Sequence, residues 1–269
     1  MAKQTTTKTV TEKVSRLATF PDLAGRSVFV TGGGKGIGAA LTEGFLQQGA
    51  RVAFLQRGDG DDFCDAMEER YGARPLFVRC DLTDTAALKD ALARAAEVNG
   101  DIQVLVNNAA NDTRHTLDEM TSDSWDANLA VNLKPYFFAT QTVAPAMRLA
   151  GEGAVVNFSS ISYMTGNSGF PAYATANAAI TGLTRALARE LGPDNIRVNA
   201  VAPGWTLTAR QMEKWATPEL LAAHLGRQCL KEHLSPGDIA HSVLFLSSMA
   251  SRMVTGQVLV VDGGVATTG

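Results

Sequence analysis

The chain has 269 residues, of which 45% are hydrophobic, and a formal net charge of −3. This length and composition suit one α/β domain with a large buried core. The charge balance gives no basis for binding nucleic acid or an anionic membrane, and no apolar run approaches the roughly 20 residues that a membrane span needs.

Residues 1–24 are rich in Thr and Lys and lack the apolar core of a signal peptide. They read as a flexible N-terminal arm, with a transit peptide as the alternative, ahead of one domain over 25–269. Apolar runs at 27–31, 51–55, 75–79, 102–106, 154–158, 196–201 and 258–261 predict strands. Helix-period segments fill the intervals, most evidently at 37–48, with Gly49 closing the helix, and at 84–98, 121–150, 172–191 and 236–249. This alternation predicts an α/β, doubly wound, mostly parallel seven-stranded sheet with helices on both faces. Such a sheet receives ligands at the carboxyl ends of its strands. The stretch 205–234 has no clear strand and is a candidate substrate lid. Cys64, Cys80 and Cys229 show no ligand-like spacing and the four histidines do not cluster with them, so no metal site is predicted. The thiols read as reduced, in a cytoplasmic protein.

Thr31-Gly32-Gly33-Gly34-Lys35-Gly36-Ile37-Gly38 joins the first strand to the first helix. Gly32 allows the tight turn, Gly36 allows backbone to approach a pyrophosphate, and Gly38 allows helix and strand to pack closely. The helix N-terminus then offers free N–H groups to the phosphates. Placed between a strand and a helix, this turn suits a dinucleotide, with the spacing Gly-x3-Gly-x-Gly and not Gly-x-Gly-x-x-Gly.

With that spacing the chain resembles the short-chain dehydrogenase/reductase family, whose Thr-Gly-x3-Gly-Ile-Gly motif it carries. Further pieces of the family pattern follow in order: Asp81-Leu82, Asn107-Asn108-Ala109-Ala110, Asn132, Ser159-Ser160, Pro203-Gly204-Trp205-Thr206-Leu207-Thr208 and Asp262-Gly263-Gly264. The resemblance implies that Asp81 and Leu82 meet the adenine, and that Asn108, Pro203, Gly204, Thr206 and Thr208 lie along the cofactor. It also implies a homotetramer. At the end of the second strand, where NAD enzymes usually carry an acid for the ribose hydroxyls, stands Gln56, followed by Arg57. Arg57 and Lys35 suit a 2′-phosphate, so NADP is favoured over NAD, although Asp59, Asp61 and Asp62 lie nearby.

The resemblance also implies a catalytic set. Tyr173 falls at the general acid/base position, Ser160 lies thirteen residues before it, and Asn132 matches the supporting asparagine. Ser159 and Ser162 are the alternative serines. The family's lysine is absent: Asn177 occupies its place, four residues after Tyr173 and on the same helix face. Asn177 can hydrogen-bond ribose hydroxyls but cannot stabilise a tyrosinate by charge. Lys134 or Arg114 could supply that cation by sequence position alone.

Asn111, Asp112, Thr113, Arg114 and His115 follow the fourth strand and are dense in hydrogen-bonding groups, which suits a sugar better than a fatty chain. Residues 111–115, 210–215, 217–219 and 228–231 are similar to a bacterial branch of the family that contains D-xylose 1-dehydrogenase. The expected function is an NAD(P)-dependent oxidoreductase acting on a sugar or other secondary alcohol, foremost an aldose at C1. The alternatives are a 3-oxoacyl-type carbonyl reductase and, because of Asn177, a cofactor-binding protein that has lost catalysis.

Overall fold

The computed structural model describes residues 18–267. Most of the arm expected over 1–24 lies outside these. The packed fold begins before residue 25: Leu23, in the short turn Pro21–Leu23, is 1% exposed within the core. Asp22 accepts the Met249 N–H at 2.8 Å, and Phe20 donates its N–H to Gln48 at 2.7 Å. An apolar anchor and two long-range hydrogen bonds tie this segment down.

Seven strands form one parallel sheet. They are β1 (Ser27–Thr31), β2 (Arg51–Gln56), β3 (Leu76–Arg79), β4 (Val104–Asn107), β5 (Gly153–Phe158), β6 (Ile196–Pro203) and β7 (Val258–Val261), in the order β3-β2-β1-β4-β5-β6-β7. Each expected strand is present. Helices cover both faces. On one lie α1 (Gly36–Gln47), α2 (Asp61–Tyr71) and α10 (Pro236–Ser247); on the other lie α3 (Thr85–Asn99), α5 (Lys134–Ala150) and α7 (Pro171–Leu191).

The two-sided cover follows from strand geometry. Successive side chains point to opposite faces, so a strand buried on both sides must be apolar throughout. In β1, Val28 and Val30 join the core beneath α1 and α10, whereas Phe29 joins the core beneath α3 and α5. A buried chain of amides links the second layer to the sheet. Asn107 Nδ2 donates to Asn157 Oδ1 at 2.9 Å, and Asn157 Nδ2 donates to Thr184 Oγ1 at 3.0 Å.

Three departures from the sequence reading have local causes. The helix expected over 121–150 is two, α4 (Ser122–Asn132) and α5, broken at Leu133. Pro135 lacks an N–H, and its ring would meet the carbonyl four residues earlier if α4 ran on. Helix α2 is less evident in the sequence because charged residues dominate it and only Cys64 and Met67 are fully buried. The stretch 205–234 holds two helices, α8 (Ala209–Lys214) and α9 (Pro218–Arg227), with no fully buried side chain in either. A bridge between Thr206 and Leu234 closes the base of this excursion. The remaining helix, α6 (Ser162–Thr165), is a single turn after β5. Among the described residues no helix is long and apolar enough to cross a membrane.

Candidate active site

The connections from β1 and β4 leave in opposite directions, so a crevice opens at their carboxyl ends, where such sheets take ligands. The glycine turn sits there. Gly32 and Gly36 have φ of +71° and +56°, a backbone region that side chains disfavour. A methyl group on Gly38 would overlap the Gly32 carbonyl oxygen, so only glycine lets α1 rest on the turn. Lys35 precedes α1 and offers no side-chain cap, which leaves the first-turn N–H groups, including that of Ile37, facing the crevice loop without a side-chain acceptor. A cradle of bare backbone at an uncapped helix N-terminus fits a dinucleotide pyrophosphate.

The adenine end is more crowded. Gln56 closes β2 and donates Nε2 to the Asp59 carbonyl at 2.6 Å. Arg57 is well exposed and lies 3.9 Å from Asp81. The Lys35 ammonium comes 4.0 Å from the point where a Cβ on Gly58 would sit. Two of the nearby acids are already engaged: Asp59 pairs with Arg79 at 3.7 Å and Asp61 with Arg74 at 3.7 Å. Asp81 accepts from the Thr83 N–H and hydroxyl at 3.0 and 2.7 Å, which together with Arg57 hold its carboxyl below the usual range. Leu82 packs against the core beneath α3. Asn108 spends its amide within the protein, donating to the Thr31 and Gly32 carbonyls at 2.9 and 3.3 Å. It fixes the glycine turn to the end of β4, and one edge of its side chain still reaches the adjoining cavity.

That cavity holds about 570 Å³. The scaffold side is formed by Ile37, Asn108, Ser160, Tyr173, Asn177, Pro203, Gly204, Thr206 and Thr208. The residues predicted for the nicotinamide end and three of the four predicted catalytic residues therefore share one wall. Asn132 does not. It is 1% exposed and clamps the Asn111 backbone, accepting its N–H at 2.7 Å and donating to its carbonyl at 3.1 Å. Ser159, one alternative serine, donates to the Asn177 carbonyl at 2.9 Å and so ties β5 to α7. Ser160 Oγ accepts the Ser162 N–H at 3.1 Å.

Tyr173 lies in the first turn of α7 with the Phe170 ring edge-on at 6.0 Å. Burial pushes its hydroxyl pKa above the ordinary value of 10, and the Asp112 carboxylate pushes the same way. The Asn177 amide and Ser160 hydroxyl pull it down more weakly. Neither cation suggested by sequence acts on it. Arg114 stacks over the Trp215 ring at 4.1 Å, and Lys134 sits 6.0 Å from the Phe138 ring. Asn177 is 3% exposed, and its Nδ2 donates to the Tyr173 backbone carbonyl at 2.8 Å. One of the amide hydrogens expected for the ribose is thus committed to the helix.

The opposite wall comes from the loop after β4 and from the 205–234 stretch, the two segments expected at the substrate side. Gln211 donates Nε2 to Asp112 at 2.7 Å and accepts from Trp205 Nε1 at 2.9 Å. Arg210 pairs with Asp112 at 3.2 Å. The loop after β4 is thus latched to α8 at two points, the Asp112 cluster and the Arg114–Trp215 stack. His224 and Arg227 reach the cavity from α9. The thiols stand apart: burial pushes Cys64 and Cys80 each up to about 11, which leaves them unreactive near neutral pH.

A parallel sheet with a glycine cradle at its switch point, opening on a cavity with a half-buried Tyr and Ser, defines a dinucleotide-dependent oxidoreductase. A family model described as enoyl-(acyl carrier protein) reductase matches residues 32–266. The chain is 48% identical over 248 residues to "Probable galactose dehydrogenase GalD" of Rhizobium meliloti, covering 91% of this chain and 97% of that one. It is also 48% identical over 250 residues to D-xylose 1-dehydrogenase of Caulobacter vibrioides, covering 92% and 98%. A crystal structure of 3-oxoacyl-[acyl-carrier protein] reductase from Brucella melitensis superposes with a TM-score of 0.83 at 32% identity, covering 93% and 94%. The chain belongs to the short-chain dehydrogenase/reductase family, whose dehydrogenases use NAD(P).

Proposed function

We propose that this protein is an NADP-preferring aldose 1-dehydrogenase that oxidises a sugar at C1 to its lactone. The observation that carries the proposal is the cavity itself, which joins Tyr173 and Ser160 on one wall to Asp112, Gln211, His224 and Arg227 on the other. Polar groups on both walls, set among apolar ones such as Phe170, Trp205 and Leu220, suit a polyol. The sugar named for each of the two 48%-identical relatives points the same way.

In the proposed reaction Tyr173 takes the proton of the C1 hydroxyl as general base, and Ser160 hydrogen-bonds the same oxygen as its charge changes. When bound, the oxidised nicotinamide supplies the hydride acceptor and a positive charge. Asn177 keeps α7 and the Tyr173 backbone in register and offers its remaining amide atoms to a ribose hydroxyl. Asn132 positions the Asn111 backbone at the rim. Pro203, Gly204, Thr206 and Thr208 form the wall against which the nicotinamide end would rest. Gly32, Gly36, Ile37 and Gly38 would hold the pyrophosphate, and Asp81 with Leu82 the adenine. Gln56, Arg57 and Lys35 would receive the 2′-phosphate, since β2 ends in an amide, Gln56, and not in an acid. The working protein is taken to be a cytoplasmic homotetramer in which residues 25–269 act as one domain and 205–234 as the lid.

The test is to follow reduced-nicotinamide absorbance with NAD+ or NADP+ and a panel of aldoses from neutral to alkaline pH, with the product identified as lactone. Aldose-dependent turnover favouring NADP+ supports the proposal. Turnover confined to 3-oxoacyl thioesters with reduced cofactor overturns it in favour of a carbonyl reductase. Cofactor binding without turnover of any substrate overturns it in favour of a protein that lost catalysis with its lysine.

A further inference from the structure

Two residues that line the cavity, Ser162 and His224, each carry a buried side-chain atom that bonds to nothing in the protein, Oγ and Nε2 respectively. Most buried polar atoms in native proteins are paired, and an unpaired one is costly. At a cavity wall such an atom marks a bond that a ligand completes. The two residues reach the cavity lining from different elements. Ser162 opens α6, directly after β5, and is 6% exposed; its N–H is spent on Ser160, and its hydroxyl is left over. His224 lies on α9, with its ring edge-on to Trp205 at a centroid distance of 5.3 Å and an angle of 90°.

We infer that Ser162 and His224 form a hydroxyl-binding pair that grips a polyhydroxylated substrate at positions other than the oxidised carbon. This rests on the reading of the protein as a sugar dehydrogenase and assigns the residues that select the sugar. The chemistry matches. A serine hydroxyl and a neutral imidazole can each donate and accept, as a sugar hydroxyl does. Burial, with Arg227 and His233 nearby, holds the His224 pKa below the usual histidine value against the opposing pull of Asp262. This shift favours the neutral ring, which suits a hydroxyl. Ser162 holds the substrate from the sheet side and His224 from the lid side, so the bound sugar itself would bridge α9 to the scaffold. An acyl chain, with methylenes beyond its reacting carbon, answers neither atom.

The test is a cycle of Ser162→Ala, His224→Leu and the conservative His224→Gln against the best aldose and its monodeoxy analogues. Sugar affinity is also measured by calorimetry, and cofactor affinity by nicotinamide fluorescence. Each truncation should lower kcat/KM about tenfold, mostly through KM and sugar affinity, with cofactor affinity unchanged. The loss should disappear against the one deoxy analogue that lacks the partner hydroxyl, and His224→Gln should recover part of it. If the lid variant fails to fold, Ser162→Ala on its separate element decides alone. Losses equal across all analogues, or no loss, overturn the pair and leave the sugar reading standing. Failure of the parent protein to turn over any aldose overturns both.

Discussion

Replacing Asn177 with Lys should move the rising limb of the pH–rate profile to lower pH. Tyr173 acts as base only when deprotonated, and both burial and Asp112 raise its pKa above 10, with only the Asn177 amide and Ser160 hydroxyl opposing. The rate of sugar oxidation should therefore climb about tenfold per pH unit through the alkaline range. An ammonium placed about 6 Å from the phenolic oxygen stabilises the tyrosinate by about 3 kcal/mol at an effective dielectric near 20, or about two pKa units. Partial burial of the new charge subtracts from this, which leaves roughly one to two units. At about pH 8 the variant should then turn over about 10- to 100-fold faster than the parent. The assay is kcat against pH from about 6 to 11 at saturating sugar and cofactor, with Asn177→Gln as the uncharged control. A limb that stays put in a folded, cofactor-binding Asn177→Lys protein would refute the reasoning. So would an equal shift in Asn177→Gln.

Gly38→Ala drives a methyl group into the Gly32 carbonyl and crowds the Asn108 amide. It should cost about 1–3 kcal/mol in chemical denaturation and at least about tenfold in cofactor affinity. Unchanged affinity would remove the glycine turn from the cofactor site. Arg57→Ala combined with Lys35→Ala should cut kcat/KM for NADP+ by about a hundredfold while changing that for NAD+ by less than about twofold. Equal losses with both cofactors would refute a 2′-phosphate role. Asn157→Ala leaves Asn107 and Thr184 without their buried partner. It should destabilise by about 2–4 kcal/mol, read from the urea midpoint, and a loss below about 0.5 kcal/mol would show that the amide chain carries no weight.

The sheet was readable because a parallel strand buried on both faces must be apolar, and runs such as Val28–Val30 leave a gap-free signal. The glycine turn was readable for a related reason: backbone packed on backbone tolerates one residue type, as at Gly38. Side-chain partners were not readable. Nothing in the sequence says that Asn132 grips the Asn111 backbone, that Asn108 braces the turn, or that Arg114 stacks on Trp215 in place of assisting Tyr173. Those pairings depend on how distant loops meet across the crevice. The lid helices were hidden for another reason. They are short, α8 spanning only Ala209–Lys214 and α9 Pro218–Arg227, and neither buries a side chain fully. A single histidine such as His224 has no motif; its unpaired nitrogen appears only once the fold surrounds it.

The central claim is that Tyr173, with Ser160 and without the family lysine, moves the proton of a sugar hydroxyl. The most direct measurement is single-turnover hydride transfer from the best aldose in the parent, Tyr173→Phe and Ser160→Ala, with cofactor affinity measured beside it. The account predicts losses of at least about a hundredfold for Tyr173→Phe and about tenfold or more for Ser160→Ala, with cofactor still bound in each. A Tyr173→Phe protein that transfers hydride at the parent rate would contradict it and require the base to be sought elsewhere in the cavity.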